Sequence, residues 1–315
     1  MTRELEFSRA SLGQSGAILK LYEDSTLGPK YLRKTSSIVQ PLSEMEHQNA
    51  SITSANPERL IRQARLQADA HASEYFSMLK IPEVLKISLS EGYFDMEFLD
   101  SIPLGEALSF LQNDKLENIA STIEAYLFEP REQVEVSDVE AEAVRSKVAA
   151  SLSSCPELKF DSIENPNEIA QLLLDAMKGA TFCRMYHGDF SLDNILWEPQ
   201  TNTLAVVDFL DGPIGSRLSD AGRLYLDLRF GWWVKPNEPS AAKFSRQYLL
   251  RKIFSRASIT TDSVAMGGGQ HAWRALKAAA YLCVLRIQPY TLIPRRTGLN
   301  LFAAQTLLRE LMETE

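Results

Sequence analysis

Between Asn194 and Asp208 the chain leaves room for one short hairpin and nothing larger. The stretch His187-Gly188-Asp189-Phe190-Ser191-Leu192-Asp193-Asn194 is followed, fourteen residues after Asn194, by the Asp of Val207-Asp208-Phe209. Any fold this chain adopts must therefore hold two carboxylates and an amide on two short loops that flank a hairpin. Either half alone is a weak signal, and the two together are specific. Phosphoryl transfer needs such a set: one Asp to orient an acceptor hydroxyl and take its proton, and an Asn with a second Asp to hold magnesium against nucleotide phosphates.

Asp189 is the candidate catalytic carboxylate, because a hydroxyl attacking phosphorus must lose its proton as the bond forms. Asn194 offers a neutral oxygen and Asp208 a charged one, the hard donors that magnesium prefers. Asp193 is an alternative metal neighbour, although its expected direction is toward solvent. His187 is open to two readings, a general base or a ring that packs in the loop and fixes backbone there. Asp220, twelve residues past Asp208, caps a helix or holds the amides of the catalytic loop; both roles are structural.

Alternating apolar residues predict strands before and at Ala17–Tyr22, around the turn Leu12-Gly13-Gln14-Ser15-Gly16, and a third at Lys30–Thr35. Asn56-Pro57 opens a helix expected to run to about Lys80, and Val84–Ser88 and Tyr93–Leu99 read as two further strands. After Leu99 the pattern turns helical: Leu104–Gln112, Leu116–Phe128, Val139–Leu152, Asn167–Met177, Leu218–Phe230, Ala241–Arg256, Ala272–Leu285 and Leu301–Met312, interrupted by the hairpin around Gln200–Thr203. Pro130–Val136 reads as an exposed connection and Ala265–Gly269 as a flexible loop. The expected class is α+β. A small antiparallel-sheet lobe with one main helix, residues 1–100, would bind nucleotide. A large, mostly helical lobe, residues 101–315, would carry the catalytic loop and bind the acceptor, with a cleft between the two.

On the third strand Lys34 places a cation where α- and β-phosphates would lie, and Glu74 on the following helix would hold it by an ion pair. Lys20 competes for that role, and Arg33 should face the other side of the strand. Gly13 and Gly16 either bring backbone amides onto phosphates or simply make a turn. The strand end Glu97, Phe98 and Leu99 offers backbone groups to an adenine edge. Trp197, Trp232, Trp233 and Trp273 suggest an aromatic cage for a cationic acceptor, with core packing as the competing reading. Asp227, Arg229, Trp232, Trp233 and Trp273 are the candidates for shaping the acceptor pocket.

A net charge of -8 with 23% charged residues gives no global pull toward nucleic acid or anionic membrane. Cys155, Cys183 and Cys283 are too far apart for a metal pattern and odd in number, so they read as buried thiols. The N-terminus carries acids and no apolar core, and the most apolar run, Ala278–Leu285, is too short to span a bilayer. Cytoplasmic location is the default expectation.

On these residues the chain resembles the aminoglycoside phosphotransferase and choline kinase superfamily, within the protein-kinase-like fold. That family's His-Gly-Asp, four residues and then Asn stands here as His187-Gly188-Asp189 through Asn194-Ile195-Leu196, and its apolar strand ending in Asp-Phe as Ala205-Val206-Val207-Asp208-Phe209. A later Gly and Asp stand as Gly215 and Asp220. The resemblance implies Asp189 as catalytic base, Asn194 and Asp208 as magnesium ligands, Lys34 with Glu74 as the nucleotide-positioning pair, and a hinge at Glu97–Leu99. It implies ATP, or GTP, with Mg2+, and a small-molecule hydroxyl acceptor such as a sugar, amino alcohol or aminoglycoside. No nucleic-acid or membrane partner follows from it. Two departures matter. Phe190-Ser191-Leu192-Asp193 stands where many relatives have a His-Pro-Gly type sequence, which leaves the acceptor open. Gly188 replaces the arginine usual before the catalytic Asp of eukaryotic protein kinases, which argues against activation-loop control. The competing reading is a kinase-like module that binds nucleotide or a partner without turnover.

Overall fold

Period-two alternation along Ala17–Asp24 determines which way the first sheet faces. Ala17 and Leu21 are buried, while Ile18 and Lys20 between them are exposed. The structure, a computed structural model, describes residues 2–5, 17–24, 30–36, 57–130, 132–158, 165–231, 238–255, 269–288 and 294–313. The chain divides into two compact units, Met1–Ser101 with Ala205–Phe209, and Ile102–Leu204 with Leu210–Glu315.

The first unit holds strands β1 (Thr2–Leu5), β2 (Ala17–Asp24) and β3 (Lys30–Ser36), helix α1 (Pro57–His71), and strands β4 (Val84–Ser88) and β5 (Tyr93–Glu97). The five strands form one antiparallel sheet in the order β1-β2-β3-β5-β4. Helix α1 buries Leu60, Ile61, Gln63, Ala64, Gln67 and Ala70, one face of a 3.6-residue period. Leu60 and Ala64 pack with Ala17, Phe94 and Met96 as the core of this unit. The register pairs Lys34 with Leu19 on one side and with Phe94 on the other, which puts Lys34 on the sheet face that the core covers.

The helix expected to reach Lys80 stops at His71. Ser73 turns to extended backbone (φ -96, ψ 134), and its hydroxyl caps a separate 3-10 turn, Glu74–Phe76, by accepting from Tyr75 N at 3.3 Å. Just before it, the His71 ring meets Ile81 O at 2.8 Å.

The second unit begins with β6 (Ile102–Pro103) and the short helix α2 (Leu104–Ala107), which ends before the expected Gln112 and continues as turns. Then follow α3 (Asn113–Leu127), β7 (Gln133–Val134), α4 (Asp138–Ser154), α5 (Pro166–Met177), β8 (Phe182–Cys183), β9 (Ile195–Glu198) and β10 (Thr203–Val206), whose last two residues belong to the first unit. Part of the stretch expected to be an exposed connection is instead β7, paired with β8. The long helices α6 (Arg217–Phe230), α7 (Ser240–Ile253), α8 (Gly269–Ile287) and α9 (Pro294–Met312) complete it. Helix α9 starts before the expected Leu301 because proline fits a first helical position. None of the helices among the described residues is long and apolar enough to cross a membrane.

Helix α6 is buried along every residue from Arg217 to Leu228, as a helix enclosed by others must be. It lies against α8 so closely that a Cβ on Gly222 would come within 2.7 Å of Ala279 C and Ala280 N. Strand β9 pairs with β6, and its hairpin turn is held by Trp197 Nε1 donating to Asn202 Oδ1 at 2.9 Å. These packed helices and the hairpin carry the loop of His187 to Asn194.

Candidate functional site

The loop is tied down from below. Asp220, at the start of α6, accepts hydrogen bonds from His187 N and Gly188 N, both at 2.7 Å, and from the Tyr126 hydroxyl at 2.7 Å. Of the two readings of Asp220, the amide-holding one applies. Burial raises its pKa, and the neighbouring His187, the two amides and the Tyr126 hydroxyl oppose that rise. Gly188 adopts φ +86, and a Cβ there would stand 1.7 Å from Leu210 O, so only glycine fits. Leu210 N donates to His187 O at 2.9 Å. His187 is fully buried, its Nδ1 accepts from Asp189 N at 3.1 Å, and its ring meets Phe190 edge-on at 6.0 Å. The packing reading of His187 is therefore the one the structure bears out.

Asp189 uses its two carboxylate oxygens differently. Asn194 Nδ2 donates to Asp189 Oδ2 and to Asp189 O, each at 3.0 Å. The amide nitrogen of Asn194 is thereby engaged, and its Oδ1 is the atom left for a cation. Asp189 Oδ1 receives Arg223 Nε at 3.0 Å and Arg286 Nη2, while Arg286 Nη1 donates to Gly188 O. Arg223 is paired in turn with Asp227, four residues on along α6, and Asp227 Oδ2 accepts from Leu192 N at 2.9 Å. Burial pushes the Asp189 carboxyl up, but Arg286 and Arg223 more than offset it, so its pKa lies below the usual value and the group is ionised at neutral pH.

In the first unit, Lys34 is buried and its Nζ donates to Gln63 Oε1 at 3.3 Å and to Asp208 Oδ1. Asp208 adopts φ +67, a left-handed conformation that Asp tolerates better than most residues, and its side chain is 34% exposed. Oδ1 thus meets Lys34, and the side chain as a whole remains partly exposed. Beside it, Phe209 packs edge-on against Phe76 at 5.5 Å. Glu74 is exposed, on the 3-10 turn beyond the helix that was expected to carry it. The residue of α1 that meets Lys34 is Gln63. Lys20 pairs with Glu4 at 3.1 Å on the exposed side, and Arg33 faces away from Lys34 to pair with Asp95 at 2.7 Å.

At the strand end, Glu97 N donates to Glu83 O at 2.9 Å, and the Glu97 carboxylate meets Lys80 Nζ at 3.3 Å. Leu99 is buried and its carbonyl accepts from Ser101 N at 2.9 Å, while Phe98 between them is partly exposed. Gly13, Gly16, Trp232 and Trp233 lie outside the described residues. Trp273 packs edge-on against Tyr225 at 5.8 Å, which with the Trp197 hydrogen bond gives both tryptophans packing roles. Asp193 is exposed. Arg229 is taken up by Glu310.

Three residues escaped the sequence reading: Arg223 and Arg286 beside Asp189 in the second unit, and Gln63 beside Lys34 in the first. Arg223 carried a signal, its i,i+4 spacing from Asp227. Arg286 looked like an ordinary basic residue closing a helix, and Gln63 like an ordinary polar one. Among the described residues no cluster of three or more His, Cys, Asp or Glu side chains forms an all-protein metal cage. Taken singly, Asn194 in the second unit carries an amide oxygen and Asp208 in the first a carboxylate, both hard oxygen groups of the kind magnesium prefers.

A model of the phosphotransferase enzyme family matches residues 55–254. No curated protein matches the sequence. The GDP and kanamycin complex of APH(2")-IIia aligns with a TM-score of 0.53 at 12% identity, over 99% of this chain and 93% of that one. The GDP complex of wild-type aminoglycoside 2'-phosphotransferase-IIIa aligns with a TM-score of 0.51 at 12% identity, over 100% of this chain and 93% of that one. An ethanolamine kinase of Plasmodium vivax aligns with a TM-score of 0.48 at 13% identity, over 99% of this chain and 81% of that one.

Proposed function

This chain belongs to the phosphotransferase enzyme family, and on that premise we propose that it is a kinase that transfers the γ-phosphate of ATP, or GTP, to a hydroxyl of a small molecule. The antiparallel-sheet first unit and the helical second unit are the protein-kinase-like fold of the two aminoglycoside phosphotransferase structures. The observation that carries the reading is the geometry at Asp189. A partly exposed, ionised carboxylate accepts from the amide nitrogen of Asn194, five residues on, so that amide's oxygen is not the atom that binds Asp189.

In this reading the acceptor hydroxyl donates its hydrogen bond to Asp189. As its oxygen bonds to the γ-phosphorus, the bond from that phosphorus to the β-phosphate bridging oxygen breaks, ADP leaves, and the proton passes to Asp189 and then to water. A carboxylate held below its usual pKa is a weak base, so Asp189 serves chiefly to aim the oxygen, taking the proton late, as a loose phosphoryl transition state allows. Magnesium, when bound, neutralises charge on the phosphates, and Asn194 and Asp208 are the residues that would hold it. Lys34 would serve the α- and β-phosphates. Glu97 to Leu99 would border the adenine.

Two variants test this. Asp189→Asn should lower turnover by at least about a hundredfold with nucleotide affinity nearly unchanged; near-normal turnover would sink the assignment. Asp208→Ala should abolish the thermal stabilisation that MgATP gives the wild type. Equal stabilisation with and without magnesium would remove the metal role.

A further inference from the structure

The two oxygens of Asp189 face different company. Oδ2 lies with the amide of Asn194, and Oδ1 lies with two guanidinium groups, from Arg223 on α6 and Arg286 on α8. A hydroxyl that reaches Asp189 on its Oδ1 side therefore arrives beside arginine. The two arginines are not partnered alike. Arg223 has Asp227 as its own counter-charge, whereas Arg286 meets no carboxylate but Asp189 among the described residues. Arg286 is also accessible: 18% of its side chain is exposed, and 22% of that of Asp189.

The geometry points to an anion subsite beside Asp189, formed by Arg286 with Arg223, which binds a carboxylate or phosphate carried by the acceptor alcohol itself. The inference rests on the reading of Asp189 as the group that receives the acceptor hydroxyl. A guanidinium already aimed by two hydrogen bonds, to Gly188 O and Asp189 Oδ1, loses little freedom on binding a second oxyanion and presents its remaining N–H groups in a fixed plane. Cationic acceptors, the amino sugars and amino alcohols, would meet like charge there, which costs affinity rather than adding to it.

The test uses the full chain and acceptors matched in size but not in charge: glucose, glucuronate, glucose 6-phosphate and glucosamine, then glycerol, glycerate, glycerol 3-phosphate and ethanolamine. Direct binding is measured by calorimetry, and turnover by ADP release at fixed MgATP. At least one anionic member should bind tenfold or more tighter than its neutral and cationic counterparts, and Arg286→Gln should erase that margin. Glucuronate against glucose 6-phosphate separates carboxylate from phosphate. Charge-blind binding, no binding of any anionic member, a preference for the amines, or a margin that survives Arg286→Gln overturns the subsite. So does an equal fall in kcat for neutral and anionic acceptors in that variant, which would place Arg286 on the transferring phosphoryl group. Anion binding lost in Arg286→Gln, with no ADP release from any acceptor, would leave the subsite standing and remove the kinase reading. Charge-blind ADP release would do the reverse.

Discussion

Asp220 accepts a hydrogen bond from the backbone of Gly188 at 2.7 Å across thirty-two residues of sequence, with a second from His187 N at 2.7 Å. One buried carboxylate thereby shapes the turn from which Asp189 projects. Asp220→Ala would leave two buried amides unpaired, at about 1–3 kcal/mol each. The expected result is a melting temperature lower by several degrees and turnover lower by at least about tenfold. Asp220→Asn keeps one acceptor oxygen and should fall between the two. A thermal melt and an ADP-release assay on both variants check this, and an Ala variant with wild-type stability would contradict it.

Lys34 has one neutral and one charged partner, Gln63 and Asp208. Gln63→Glu would supply a second carboxylate and draw Lys34 away from Asp208, whose oxygens would then be freer for a cation. Magnesium-dependent ATP affinity should rise a few-fold in that variant, measured by calorimetry with and without magnesium. A rise in magnesium-free affinity of the same size would show that the effect does not run through Asp208.

Glu140 closes a capping box with Ser137 at the start of α4 and also accepts from Gly215 N. Burial raises its pKa, but the Ser137 and Gly215 hydrogen bonds outweigh that, and the net shift is downward from 4.5. A carboxyl depressed in the folded state contributes stability above its unfolded pKa and loses it as pH falls through the folded value. Glu140→Gln should therefore cost about 1 kcal/mol at neutral pH and progressively less as the medium is acidified below 4.5. Urea melts of both proteins along a pH series read this directly; a difference that grows on acidification would refute it.

Cys283 is buried, and burial pushes its thiol up to about 11 despite Arg286 and Arg223 nearby. Cys183 is buried with its pKa raised by the same cause, whereas Cys155 is partly exposed. At a pH of about 8 a disulfide reagent should modify Cys155 alone in the native protein, and slowly, because the thiolate is the reactive form. Cys155→Ser should abolish that phase. Reaction of Cys283 without denaturant would mean that the α6–α8 contact opens readily.

The main strands and helices were legible because alternation and 3.6-residue spacing survive without context, and the contact of Asn194 with Asp189 was legible because their spacing is short and local. What failed to show in sequence was decided by tertiary packing. The break after His71 depends on one Ser73 hydroxyl, and it moved Glu74 off α1. Gln63 is polar and buried, so periodicity reads it as a surface residue. Arg286 ends an apolar helix and becomes special only where α8 brings it to a loop ninety-seven residues earlier.

Residues Ala205–Phe209 belong with the first hundred residues although the chain on both sides of them belongs elsewhere. During synthesis, strand β5 leaves the ribosome long before Asp208, the counter-charge of the buried Lys34, and before Val206, whose N–H donates to Lys80 O at 3.0 Å. The amino-terminal unit is thus born incomplete. A nascent chain arrested shortly after Ser101 should expose Lys34 to lysine-specific labelling, and protection should appear only once some hundred further residues have been added. On the proposed function, nucleotide binding would be acquired late in translation, at about the same time as the loop of Asp189.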